Sequence, residues 1–348
     1  MPRLSYRQPG LILERGGTDA TLEQVRDLQR DLRRLGYLRS GLDGQFGPGT
    51  QRAVKALQHD LLAKMDKERG AAVDLMDYNH GRVALVNGVC DRSLANCISD
   101  MLDDPEYPDL PKAEDPRAEN RLLADEIAAL ESDQAPVPFI AAILKQESGL
   151  RHFHEPRGDD RDTYITIGLD TNAGEKHMIT SRGYGAGQYT LFHHPATTVE
   201  VADFMLDIGK NLSKAFAELR EKFDHFVNGA TNGTRADDRR VEIGSGPLRL
   251  CKFEPDDPRH LRDCVRCLED AGSRDITEGV TRLHAGTGHR YAPTQYYRKS
   301  SYAGVPRREK IGCDWPYAMR RYNGSGVNSY HYQTRVLLFL SKFPKREE

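Results

Sequence analysis

The chain has 348 residues, 38% hydrophobic and 29% charged, with a formal net charge of −2. That composition excludes disorder, and no apolar run approaches the roughly 20 residues needed to cross a bilayer. The length exceeds one comfortable core, so two domains are expected.

The opening Met1-Pro2-Arg3-Leu4-Ser5-Tyr6-Arg7 lacks the apolar core of a secretory signal. Export is therefore expected at lysis or through a specialised secretion system. Leu22, Val25, Leu28, Leu32 and Leu35 have the three-and-four spacing of an amphipathic helix over 21–35, which Gly36-Tyr37 stops. A second helix is expected to start at a Thr50 cap and to bury Ala53, Val54, Leu57 and Leu61. Between them runs a turn-rich loop, Gly41 to Gly49. Residues 81–102 look like a degenerate echo, with Asn87-Gly88 followed by a helix through Leu94, Ile98 and Leu102. Residues 1–102 thus form one expected domain, its core at about 20–65 and the possible repeat at 71–102. Residues 103–120 hold four prolines and seven acids and read as a linker.

The remainder, 121–348, opens with helices near Arg117–Glu131 and Pro136–Gly149. A long amphipathic helix is expected at about 196–227 and a last one at 328–342. Strand signals are few. Cys90 and Cys97 are the easiest local disulfide pair, while Cys264-Val265-Arg266-Cys267 with Cys251 and Cys313 could be disulfides, free thiols or a zinc site. Residues 229–313, with His284 and His289, read as an insertion lining or lidding a cleft. From Arg290 to Arg346 twelve Lys/Arg meet two acids, Glu309 and Asp314. A nucleic-acid partner would rest on that stretch alone and is not expected.

The string Val25-x-x-Leu28-Gln29-x-x-Leu32-x-x-Leu35-Gly36-Tyr37, then Asp43-Gly44-x-Phe46-Gly47-x-x-Thr50-x-x-Ala53-Val54-x-x-Leu57-Gln58, closely resembles the peptidoglycan-binding domain 1 family. The resemblance implies a three-helix module whose loop, with Asp43, Gly44, Phe46 and Gly47, lines a groove for wall peptide or glycan. Phe46 reads better as a core aromatic, since aromatic rings mostly pack. Glycines there let a ligand approach the backbone and expose N–H groups to its carboxylates.

In Val137-Pro138-Phe139-Ile140-Ala141-Ala142-Ile143-Leu144-Lys145-Gln146-Glu147-Ser148-Gly149, Glu147 follows Leu144, Ile143 and Ile140 by three, four and seven residues. It therefore projects from the apolar face at a helix C-terminus, a setting that holds a proton on a carboxyl group. A general acid for glycosidic cleavage needs that property. Other helical acids, such as Glu126 and Glu218, lack so apolar a setting. Glu147-Ser148-Gly149 is followed by Gly185-Ala186-Gly187-Gln188-Tyr189-Thr190 and by Arg321-Tyr322-Asn323-Gly324. That order resembles the soluble lytic transglycosylase and goose-type lysozyme superfamily, although Ala186-Gly187 replaces Leu-Met and Arg321 replaces Ala.

The resemblance implies Glu147 as catalytic acid, with Ser148 orienting the substrate's N-acetyl group or Glu147 itself. It implies Gln188, with Tyr189 and Thr190, on sugar, Tyr322 packed near or bonded to Glu147, and Asn323 supporting the cleft. A second carboxylate for hydrolysis could come from Asp159, Asp160, Asp162 or Asp170. Without one, the glycan's own 6-hydroxyl attacks and leaves an anhydro end. The expected architecture is mainly α, a small three-helix peptidoglycan-binding domain joined to a larger α+β lysozyme-like domain. No cofactor is expected, and the alternative from another class is a non-catalytic wall-binding structural component.

Overall fold

The computed structural model describes residues 5–39, 41–129, 135–158, 160–228, 264–276, 302–324 and 327–342, with 251, 253–254, 256–257 and 260. The chain divides into two compact units, each built from two stretches. One comprises Met1–Leu123 and Arg151–Asn211; the other comprises Ala124–Leu150 and Leu212–Glu348.

The first unit begins with α1 (Leu22–Arg34), where Thr21 and Gln24 cap each other reciprocally. The helix stops where Gly36 turns to φ +79° and Tyr37 N–H reaches back to Leu32 O. In α2 (Pro48–Ala63) the N-cap is Gly47, followed by Pro48. Thr50, the expected cap, lies in the first turn instead, where its hydroxyl donates to Gln45 O at 3.1 Å. Asp91 caps α3 (Arg92–Asp103) by accepting from Leu94 N–H. Leu28, Leu32, Leu57, Leu61, Ile98 and Met101 are buried together between these helices. Each such side chain contributes about 1.5–3 kcal/mol by leaving water.

Residues 103–120, expected as a linker, pack against the unit rather than swing free. Tyr107 is buried in the helical core and donates to Leu35 O at 3.1 Å. Leu110 and Ala113 enter a second core, and Pro116 starts α4 (Pro116–Ala129). The acids stay outside, as when Asp109 pairs with Arg34 at 2.5 Å.

That second core lies on an antiparallel sheet of β1 (Ile167–Thr171), β2 (Ile179–Tyr184) and β3 (Tyr189–Leu191). Phe153, Ile165, Ile167, Tyr184 and Phe204 fill it. Two buried ion pairs join the stretch from Arg151 onward to the helical module, in opposite senses. Arg33 on α1 meets Asp162 at 2.9 Å, and Arg182 on β2 meets Asp60 on α2 at 3.4 Å. Arg182 also donates to Gly36 O, and Tyr37 hydroxyl to Asp60.

The expected long helix at 196–227 is interrupted. A short α6 (Thr198–Glu200) runs into a π turn, Val201–Met205, and α7 (Ile208–Phe223) starts afresh. The reason is Asp207, whose carboxylate accepts Lys210 N–H at 2.9 Å and so caps a new helix.

The second unit contains α5 (Val137–Glu147), the C-terminal part of α7, α8 (Cys264–Asp270), α9 (Trp315–Tyr322) and α10 (Val327–Leu340). A two-stranded pair, β4 (Ser273–Ile276) with β5 (Tyr302–Pro306), accompanies them. Phe139, Ile140, Ile143 and Leu144 make α5 apolar enough to be the centre of this core, and α10 packs along it. Trp315 is fully buried, 4.3 Å from the Phe223 ring. Most of the expected insertion at 229–313, including His284 and His289, lies outside the described residues. The chain is mainly helical with one small three-stranded sheet, and among the described residues no helix is long and apolar enough to cross a membrane.

Candidate functional site

Two groups of polar side chains stand out, one in each unit. In the first unit, the loop between α1 and α2 is organised by Gln29. Its amide Nε2 donates to Asp43 Oδ1 at 2.8 Å, and its Oε1 accepts Gly44 N–H at 2.8 Å. Asp43 Oδ1 also accepts Gln45 N–H. Gly44 is obligatory, because at φ +74° a Cβ would come within 2.7 Å of Leu22 O. Phe46 is half-buried against the helical core, whereas Gly47 has open space where a side chain would point.

The loop before α3 repeats this arrangement. Gln58 Nε2 donates to Asn87 Oδ1 at 2.7 Å, Gly88 N–H donates to Gln58 Oε1 at 2.8 Å, and Val89 N–H donates to Asn87 Oδ1. Helix α2 thus receives the first loop at its start and clamps the second from its last turns. This second loop lies within 81–102, the segment read in the sequence as a degenerate echo. Cys90 and Cys97, the easiest local disulfide pair in the sequence, are two separate buried thiols; Cys97 points at Asn79 O, and burial pushes the Cys90 thiol up.

In the second unit, α5, α7, α9 and α10 bring two carboxylates and two phenols together. Tyr332 on α10 is buried and donates to Glu147 Oε1 at 2.6 Å. Tyr322, half-buried at the end of α9, hydrogen-bonds Glu218 on α7 while standing within electrostatic reach of Glu147. Burial, and then the nearby carboxylates, push both phenol hydroxyls well above their usual range, so both remain donors. Burial raises Glu218 as well, opposed by Lys222 at 3.6 Å. Behind Glu147, Arg335 Nε donates to Gln146 Oε1 at 2.7 Å and so ties α10 to α5 a second time. Glu147 itself is half-buried, at the tip of the apolar helix.

The other expected residues are placed as follows. Ser148 hydroxyl turns back to Leu144 O at 3.0 Å and closes the last turn of α5. Asn323 is the exposed C-cap of α9. Gln188 belongs to the first unit. Its amide donates to Gly185 O at 2.7 Å across the β2–β3 turn, with its Oε1 packed on Gly168. Tyr189 stacks on Phe204 at 4.4 Å and Thr190 donates to Gln188 O. Asp159 lies outside the described residues. Asp170, exposed on β1, accepts from Ser181, while Asp162 is committed to Arg33 and Asp160 lies beside Gly41. Asp160, Asp162 and Asp170 all lie outside the unit that holds Glu147. The acid that joins Glu147's group is Glu218, passed over in the sequence. Cys251, Cys267 and Cys313 are thiols, the side chain of Cys264 lies outside the described residues, and among the described residues no three metal-ligating side chains converge.

Residues 21–61 match the family model described as peptidoglycan binding domain. No curated protein and no solved structure matches the chain. The match covers the glutamine-clamped loop with Asp43, Gly44, Phe46 and Gly47, and it associates the chain with peptidoglycan and the cell wall.

Proposed function

We propose that the protein attaches to peptidoglycan through its N-terminal module and cuts the glycan strand at the β-1,4 bond between MurNAc and GlcNAc. Glu147 gives its proton to the glycosidic oxygen as the bond to the MurNAc carbon breaks. The resulting carboxylate then takes the proton of the MurNAc 6-hydroxyl as that oxygen closes on the same carbon, leaving a 1,6-anhydro end and a restored acid. The observation that carries this reading is the short Tyr332–Glu147 hydrogen bond at the end of an apolar helix. A phenol that stays protonated steadies the carboxylate formed after proton transfer. A hydrolytic muramidase is the second reading, favoured by the presence of Glu218 beside Tyr322. Action in the periplasm or wall follows from either.

Digestion of purified sacculi, analysed by mass spectrometry, tests the reading. The wild type is expected to release fragments with anhydro ends, and Glu147→Gln to lose cleavage by about 10²–10⁴-fold while still sedimenting with sacculi. Reducing ends, one water heavier, assign hydrolysis instead. Sedimentation without any cleavage by the wild type sinks the enzymatic reading and leaves a wall-binding component.

A further inference from the structure

We infer that Arg26 holds a carboxylate of the wall peptide, so that the N-terminal module recognises the peptide of peptidoglycan rather than its sugars. This rests on the wall-attachment reading above and names the part of the wall involved. Helix α1 carries four arginines, and an aspartate answers three of them. Arg30 pairs with Asp27 at 2.6 Å, Arg33 with Asp162 at 2.9 Å and Arg34 with Asp109 at 2.5 Å. The Arg26 side chain has no hydrogen bond and no ion pair among the described residues. It is nevertheless half-buried, and its Nε is shut away from water without an acceptor.

Arg26 stands beside the glutamine-clamped loop. One turn earlier, Leu22 O lies against Gly44, and that carbonyl is the helical partner of the Arg26 N–H. One turn later, Gln29 accepts Gly44 N–H and donates to Asp43. Leu22, Arg26 and Gln29, spaced four and three apart, share one side of α1. The acids nearby are engaged elsewhere. Asp27 accepts from Ser5 and Arg30, and Asp43 accepts from Gln29 and Gln45 N–H. Glu23, on the preceding turn, is exposed and forms no ion pair with Arg26. A cation stripped of part of its water without a counter-charge costs the fold free energy. A carboxylate docking on the terminal guanidinium nitrogens supplies that charge through charge-assisted hydrogen bonds. In peptidoglycan the sugars offer hydroxyls and N-acetyl groups, whereas the free carboxylates belong to the peptide. Leu22, 58% exposed beside Gly44, adds an apolar ledge for the peptide's methyl side chains.

The test is retention of the full chain on purified sacculi freed of accessory polymers, with Glu147→Gln as parent so that the wall stays intact. Arg26→Gln is expected to weaken retention roughly ten- to a hundredfold, the loss of hydrogen bonds to a charged group. Arg26→Lys keeps the charge without the fork and should weaken it less. Amidating the wall's carboxyl groups with carbodiimide and ammonia should bring the parent down to the level of Arg26→Gln, which is itself indifferent to the treatment. Arg15→Gln removes an exposed charge from the same unit and should bind as the parent does. Full retention of Arg26→Gln, equal binding of the parent to amidated and untreated sacculi, or an equal loss in Arg15→Gln each overturns the inference while attachment stands. A thermal melt matching the parent's shows that Arg26→Gln is folded; otherwise the amidation arm decides alone. No retention of the parent on untreated sacculi overturns attachment itself, and the inference with it.

Discussion

A phenol that donates to a carboxylate favours its ionised form, the form Glu147 takes after proton transfer in the proposed cleavage. Tyr332→Phe removes that donor and leaves the ring. A hydrogen bond to a charged group is worth about 1.5–3 kcal/mol, so sacculus digestion should slow by roughly ten- to a hundredfold. The thermal melt should move by only a few degrees, since the ring's packing survives. An unchanged rate would remove Tyr332 from the mechanism. The place of Glu147 at the tip of an apolar helix was legible in the sequence, because Ile140, Ile143 and Leu144 set its direction. Tyr332 was not, because 185 residues separate it from its partner and its spacing reads as core. Glu218 looked like a surface acid of an amphipathic helix. Only the packing of α9 against its neighbours reveals Tyr322 beside it.

Helix ends decide where these side chains point. Helix α5 stops because Gly149 and Leu150 both take positive φ, +71° and +62°, and Leu150 N–H returns to Leu144 O. Gly149→Ala forces an L side chain into that conformation, at a cost of about 1–2 kcal/mol. Urea unfolding should register the loss, and cleavage should fall too if the helix end shifts by a fraction of a turn. Wild-type stability in this variant would show that the end of α5 adapts freely. Periodicity sufficed for α1, whose buried positions recur at three and four residues, whereas α5 is buried continuously from Phe139 to Leu144. It failed over 196–227, where apolar spacing continues straight through the break that Asp207 imposes. The linker reading of 103–120 failed for a related reason: seven acids outweigh Tyr107 and Leu110 in composition, yet those two side chains anchor the segment.

For the first unit as a whole, acid is the expected weakness. Burial pushes His152 down to about 4 and His154 to about 3, with Arg33 adding to the latter, and drives His194 well below its usual range. Unfolded histidines titrate near 6.5, so between there and the folded values the unfolded chain binds protons that the folded chain refuses. Stability is complete above about pH 6.5 and declines below it, by about 1.4 kcal/mol per pH unit for each such histidine. Asp31 works the other way. Raised to about 6 by burial, it favours the fold as pH falls from 6 toward 4 and offsets one histidine. Urea midpoints should therefore drop from pH 7.5 to 5.5, and His154→Gln, which keeps an acceptor for Arg33, should flatten that slope; a midpoint indifferent to pH would contradict the assignment. The paired arginines and aspartates have a different consequence, one of inheritance. A stretch whose Arg33 and Asp60 are ion-paired with Asp162 and Arg182 is not a self-contained cassette. Grafted elsewhere at its family boundaries, it would carry two severed ion pairs into its new host, so recombination that respects those boundaries yields a damaged anchor rather than a transplanted one.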